Sequence, residues 1–562
     1  MSKANYLNLM EKALSAYSVA HILQYFNEVK QNGLTEHGFP RLTANIGILI
    51  ANGRRRELLP IFLEMMEFCC KNIPLVKAAN DFSVREIINC ITEIEKHFVV
   101  AREDVARWEN YLASITPQQC YSVFAKTPNN PVKNWALFTG VSEYFRQRKG
   151  LCTNQEFIDT QIASQLQWFD ENGMYMDNAG DIHHPIQYDI VPRALFAILL
   201  NGGYRGKYYK TIDEILKKAG VPTLNMQSAC GEMPFGGRSN QFLHNEAWLA
   251  LLLEYEAARY QQAGDCALAK KFKAGAAQAV AATEYWLSKQ PITHVKNRFP
   301  IHSKFGCEDY AYFDKYMITA ASFFYEASLI CDDSIVPSAL DESPMVWSTT
   351  KHFHKTFARA CDYSLEFDTN ADPFYDANGL GRVHKKGAPS AICLSTPFAK
   401  TPNYALNGIE NKTSFSICPA VKDENGEWIL GSESDTSYRL TESTFGNESC
   451  DAAFDCLFAN GAQGKFSCSV SEKGIDVTFT AEDKQEVGVC LPVFYFDGEG
   501  YAKITEQDGK IFVEYEGWVC EYEAKNICNL NQEAANRNGI YKCYVATALQ
   551  QAKVRIKIYP AP

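Results

Sequence analysis

The sequence predicts two unlike parts in a fixed order, a helical region over residues 1–336 and an antiparallel β-sandwich over residues 337–562. Three observations carry this. Up to about Ile335 the apolar residues recur at helical spacing; after about Pro337 they alternate with period two; and the punctuation changes from helix-joining loops to Asn-Gly and Asp-Gly turns.

In the first region the helical stripe is plain in Leu58, Leu59, Phe62, Leu63 and Met66, and again in Ala247, Ala250, Leu251 and Tyr255. Short breaks such as Gln31-Asn-Gly, Glu171-Asn-Gly and Ala219-Gly-Val-Pro222 suit antiparallel neighbours, and roughly ten to thirteen helices are expected. In the second region Ser414–Cys418, Gly464–Val470, Ile475–Thr480, Glu486–Leu491 and Lys553–Tyr559 read as strands. Glu424-Asn-Gly, Asp497-Gly-Glu-Gly and Gln507-Asp-Gly read as hairpin turns between them.

Composition excludes several classes. A formal charge of −11 without a basic patch argues against a nucleic-acid partner, so any polyanion must be met by a local cluster of Arg, Lys and His. No apolar run is long enough to span a bilayer, and the amino-terminal residues lead straight into an amphipathic helix without a signal-type core. The 19 cysteines are scattered and form no C-x-x-C pair, the pattern of reduced thiols. The expectation is a cytoplasmic protein, or a periplasmic or secreted one if a leader has been trimmed, with no cofactor, no metal and no membrane association; a homo-oligomer is compatible with the sequence.

The densest polar stretch is Gly236-Gly-Arg-Ser-Asn-Gln-Phe-Leu-His-Asn-Glu-Ala-Trp248. Read as a loop entering a helix capped by Ser239 or Asn240, it would aim first-turn amides, Arg238, Asn240, Gln241, His244, Asn245 and Glu246 at an acidic ligand. The plainer reading is a capped helix with a hydrogen-bonded core histidine. A second cluster, Gly306–Tyr316, brings Tyr310, Tyr312, Lys315 and Tyr316, with Arg298 and His302 just upstream; aromatic core packing is its alternative. A third offers Tyr188 and Arg193 after His183-His184, whose adjacency does not suit one metal ion. His37, Arg41, Asn80 and Arg85 at loop-to-helix junctions could line the same opening, and Arg382, His384 and Lys385 could lean over it.

The order of parts, together with Ser239-Asn-Gln-Phe-Leu-His244-Asn and the Tyr310–Tyr316 segment, resembles polysaccharide lyases built from an (α/α) toroid, an incomplete barrel, followed by an antiparallel β-sandwich. These are the heparinase II/III-like and alginate-lyase-like group, with the rhamnose-α-1,4-glucuronate lyases sharing the layout. The resemblance implies β-elimination at a 4-linked uronate of an acidic oligosaccharide. Donors such as Asn240, Gln241, Asn245 and Arg238 would neutralise the carboxylate beside the C5 proton. His244 would act there or as base, and one of Tyr188, Tyr310, Tyr312 or Tyr316 as base or acid, with Arg298, Lys315 or His302 favouring the phenolate. Two other readings stand beside it. A glycoside hydrolase of the glucuronidase or unsaturated glucuronyl hydrolase type would use two carboxylates among Asp189, Glu232, Glu246, Glu308 and Asp309. A carbohydrate-binding protein would stack sugars on Trp135, Trp168, Trp248 or Trp286.

Overall fold

A computed structural model describes every residue except 78–79, 131, 178–181, 340–341, 398–401 and 434. Among the described residues fourteen α-helices precede Ile330, followed by seventeen strands from Met345 onward. The helix count exceeds the expected thirteen partly because Pro117–Cys120 is a single turn with no periodic signature.

Alternate helices differ in burial, and that difference builds the architecture. Gly38–Ala51, Val84–His97, Trp135–Arg148, Ile186–Asn201, His244–Gln262 and Phe313–Ile330 are buried along most of their length. A helix apolar on all sides must be surrounded. These six touch one another in chain order, and the last packs against the first, so the inner layer closes on itself. Each is backed by a less buried outer helix: Leu59–Asn72, Arg102–Ala113, Gln155–Leu166, Tyr209–Met226 and Cys266–Leu287 on the first five, and the amino-terminal Lys3–Leu14 on the sixth. Gly47 permits the tight contact between layers, since a Cβ there would lie 2.4 Å from Cys90 Sγ and 2.5 Å from Phe62. One sequence reading fails here. Ala219–Pro222 is no loop but lies within Tyr209–Met226, where Gly220 gives Phe272 room to pack.

Asp497–Gly500 is a tight turn bridged antiparallel by Phe496 and Tyr501, but the strands it leads between, Glu486–Phe496 and Lys503–Gln507, belong to different sheets. The β part is three antiparallel sheets. An eight-stranded sheet has at its centre Gln463–Ser471, Gly474–Ala481 and Gln551–Pro560, whose residues alternate buried and exposed. A five-stranded sheet around Glu486–Phe496 and a four-stranded sheet from Met345 to Lys385 share one apolar core with it. Segment 414–417 makes only isolated bridges, and its strand proper begins at Cys418.

Most cysteines are buried and none is paired among the described residues; Cys490 and Cys543, 3.7 Å apart, are hydrogen-bonded thiols. No described helix is long and apolar enough to cross a membrane.

The ring closure carries a buried ion pair. Lys273 Nζ lies 2.7 Å from Glu254, which also accepts from the Tyr6 hydroxyl at 2.8 Å, tying the amino-terminal helix to two others. Lys273→Ala leaves a buried carboxylate without its cation and should cost about 3–5 kcal/mol in urea unfolding.

Candidate active site

Because inner helices alternate with outer ones, all six run the same way and their amino-terminal ends meet at one mouth of the ring. A cavity of about 360 Å³ lies there, and every inner helix contributes to it at or near its first turn: Arg41, Phe82, Trp135, Gln187, His244 and Lys315 in chain order. Free first-turn N–H groups and the helix dipole favour an anion at such a place. The side chains add to this. Lys133, Arg238 and Lys315 line the cavity, whereas Asp177 is the only carboxylate on its wall among the described residues. Arg41 also faces it, but its charge is met by Glu86 at 2.9 Å. A chain of net charge −11 thus presents a locally positive chamber.

One turn organises the mouth. Gly236, Gly237, Ser239 and Gln241 all have positive φ, between +55° and +95°, so residues 236–241 cannot begin a helix. The helix starts at His244, with no side-chain cap, and the expected cap at Ser239 or Asn240 is corrected accordingly. What holds the turn comes from the β part. Ser239 N–H donates to Glu308 Oε1 at 2.7 Å, and Glu308 is gripped by both terminal nitrogens of buried Arg537, at 2.6 and 2.9 Å. Held this way, Ser239 Oγ sits 3.1 Å from the hydroxyls of both Tyr188 and Tyr310. Arg238 Nε–H donates to the Tyr310 oxygen at 3.0 Å, with its guanidinium 4.8 Å from the Tyr188 ring centre.

Protonation follows from burial. Removal from water pushes Tyr188 and Tyr316 well above the ordinary phenol value, so both keep their protons. It pushes His244 well below the ordinary imidazole value, so this ring is neutral. Burial also raises Asp177 and lowers Lys315. His244 Nδ1, both amide atoms of Gln187 and Trp248 Nε1 have no hydrogen-bond partner in the protein, and all three residues line the cavity. Buried polar atoms left without a partner mark where a ligand's polar groups would be met.

The other expected residues lie elsewhere. Asn240 braces the turn through Gly236 N–H and Pro234 O, Gln241 bonds Asn240 and Asn538, and Asn245 Oδ1 accepts from Phe242 N–H; all three are buried away from the cavity wall. The amides of Asn240 and Asn245 are spent on backbone in a turn that lacks regular hydrogen bonds, and that of Gln241 on neighbouring side-chain amides. Glu246 is paired with Lys296 at 2.7 Å, and Arg193 with Asp189 through Nε at 2.9 Å. Arg298 pairs with Glu499 at the surface, His302 is exposed, and Tyr312 precedes its helix with Lys315 over its ring at 4.4 Å. Arg382 and His384 are buried in the sheet, where Arg382 bonds Glu232 and Glu366. None of the hydrolase candidates Asp189, Glu232, Glu246, Glu308 and Asp309 lines the cavity; of the tryptophans, Trp135 and Trp248 do and Trp168 and Trp286 do not.

Sequence reasoning missed Gln187, Asn134, Lys133 and Asp177 as cavity groups, and took Ser239 only as a cap. Asn134 Nδ2–H donates to Asp177 at 2.9 Å. The single available signal was position: Lys133, Asn134 and Gln187 lie at helix starts, whereas Asp177 carries no such mark.

A helical ring followed by antiparallel sheets, with a cationic and tyrosine-lined chamber at the ring's mouth, is the class of protein that fold and site define. No family model and no curated protein matches the sequence. Among solved structures, the chain is similar to a mutant of heparan sulfate lyase HepC from Pedobacter heparinus, with a TM-score of 0.47 and 10% identity over 93% of this chain and 75% of that one. It is similar also to chondroitinase AC lyase, TM-score 0.44 and 8% identity over 99% and 83%, and to heparinase III, TM-score 0.39 and 8% identity over 88% and 78%.

Two measurements test this geometry. Glu308→Ala removes the acceptor of Ser239 N–H, and amides of residues 236–241 should then exchange about tenfold faster or more, while those of the buried helix behind them keep their protection. His244 titrates below its unfolded value, so below about pH 6.5 the unfolded chain binds a proton that the folded chain does not, and stability falls as pH falls. His244→Asn should therefore reduce the loss in urea midpoint between pH 7 and pH 5.

Proposed function

We propose that the protein cleaves a 4-linked uronic-acid glycan by β-elimination in this chamber. The observation that carries the reading is the Arg238–Tyr310–Ser239–Tyr188 array: two phenol oxygens bridged by one hydroxyl, one of them receiving a guanidinium N–H, beside a neutral imidazole and an unpaired amide.

Elimination needs the C5 proton removed, and that proton becomes acidic only when the adjacent carboxylate's charge is offset. Lys315 and Lys133 supply charge, the inner-helix amino termini supply partial charge, and Gln187 with neutral His244 supplies hydrogen bonds. The enolate that forms is stabilised by the same groups. Tyr310 is the base, because its oxygen receives the N–H of Arg238 and stands 3.1 Å from the Ser239 hydroxyl at the mouth of the chamber. The proton passes from C5 to Tyr310, the C4–C5 double bond forms, the C4–O4 bond breaks, and Tyr188, kept protonated by burial, gives its proton to the departing oxygen. Among the described residues Asp177 is the one carboxylate on the wall, so they offer the hydrolase reading no second one there.

Incubation with uronate glycans should raise absorbance near about 232 nm, the signature of the conjugated double bond; new reducing ends without that absorbance would exclude elimination. Tyr310→Phe should lower kcat by about 10²–10⁴ while the fold and binding persist. Full activity in that variant would move the base elsewhere.

A further inference from the structure

Elimination by two tyrosines ends with a proton in the wrong place. With Tyr310 as base and Tyr188 as acid, each cleavage leaves Tyr310 protonated and Tyr188 a phenolate. Neither can act again until one proton has moved from the first oxygen to the second. Tyr188 is a poor resting place for charge, because removal from water holds its phenol well above the ordinary value. Among the described residues the one hydrogen-bond partner of its hydroxyl is Ser239 Oγ. Tyr310 stands on the other side of that same oxygen and is 36% exposed.

Ser239 is placed to connect the two. Its Oγ lies 3.1 Å from each phenol oxygen, and a hydroxyl has one proton to donate and lone pairs to accept with, so it can receive from Tyr310 while it gives to Tyr188. Its backbone is fixed on both sides: the N–H donates to Glu308 Oε1 at 2.7 Å, and the carbonyl accepts from Asn245 Nδ2 at 3.2 Å. The residue is held at φ +55°, a conformation serine seldom adopts, and is only 3% exposed. Solvent therefore meets the Tyr310 side of the array and not the bridge.

We propose that Ser239 is a proton relay that resets the site between cleavages. The Tyr310 O–H bond breaks as its proton passes to Ser239 Oγ, the Ser239 Oγ–H bond breaks as its proton passes to the Tyr188 oxygen, and both phenols return to their starting forms with no proton taken from solvent. The proposal rests on reading Tyr310 and Tyr188 as base and acid of an elimination. Ser239 acts through those two phenols, and it serves every turnover after the first.

Oligosaccharides of glucuronate, mannuronate and guluronate are offered to the wild-type protein, and the one cleaved fastest is followed by rapid mixing at about 232 nm. Ser239→Ala, and Ser239→Gly to relieve the positive φ, should form one product per site at a rate within about threefold of wild type, then continue at a steady rate about tenfold lower or more. Imidazole, a small proton carrier, should raise that slow phase in proportion to its concentration. A hydroxyl that only positioned the tyrosines would slow first and later turnovers alike. That result in both variants, a steady rate that neither variant lowers, or a slow phase indifferent to imidazole overturns the relay and leaves elimination standing. Absence of the absorbance with wild-type protein on all three glycans overturns elimination and the relay with it.

Discussion

One constraint underlies the arrangement of the molecule: an inner helix can return to the inner ring only by way of an outer one. The return forces the six inner helices to run in the same direction and places six amino-terminal ends at a single mouth. The electrostatic character of the chamber follows from connectivity before any side chain is chosen. Lysine and arginine then reinforce a field the backbone has already set, and aromatic walls exclude the water that would screen it.

The β part supplies what the ring cannot make for itself. A turn that holds two non-glycine residues, Ser239 and Gln241, at positive φ is expensive and persists only where its surroundings over-determine it. Here they do so through charge: Arg537 fixes Glu308, and Glu308 fixes Ser239. A second buried chain runs from Glu366 through Arg382 to Glu232, near Lys296 and Glu246. Such pairs contribute less to stability than apolar packing of equal volume would, but breaking one is costly, and that asymmetry fixes the register between helices and sheets.

The order of helical and β parts was legible because periodicity survives in a single sequence. The closed six-pair ring was less so, since its repeat lies in burial and direction and leaves no repeated residues. At the chamber, charged and aromatic groups such as Arg238, His244, Tyr310 and Lys315 stand out by type. The amides misled in both directions. Asn240, Gln241 and Asn245 attracted notice by crowding together, yet they crowd because an irregular turn must satisfy its own polar groups. Gln187 drew none, though its amide is left unpaired on the chamber wall, because nothing local separates a waiting glutamine from a solvated one. Glu246 shows the same limit: its partner Lys296 is fifty positions away in sequence.

A Cβ on Gly236 would lie 1.7 Å from Asp376 Oδ2, and this close approach of turn and sheet bears on modularity. The helical segment cannot be lifted out as a self-sufficient cassette, since cutting the chain after its last helix would strand Glu308 and Glu232 without their arginines and leave the tyrosine-bearing turn unsupported. Shuffling such helical rings onto unrelated sheet partners would yield folded hybrids with a disordered mouth, unless the residues equivalent to Arg537, Arg382 and Asp376 travelled with them.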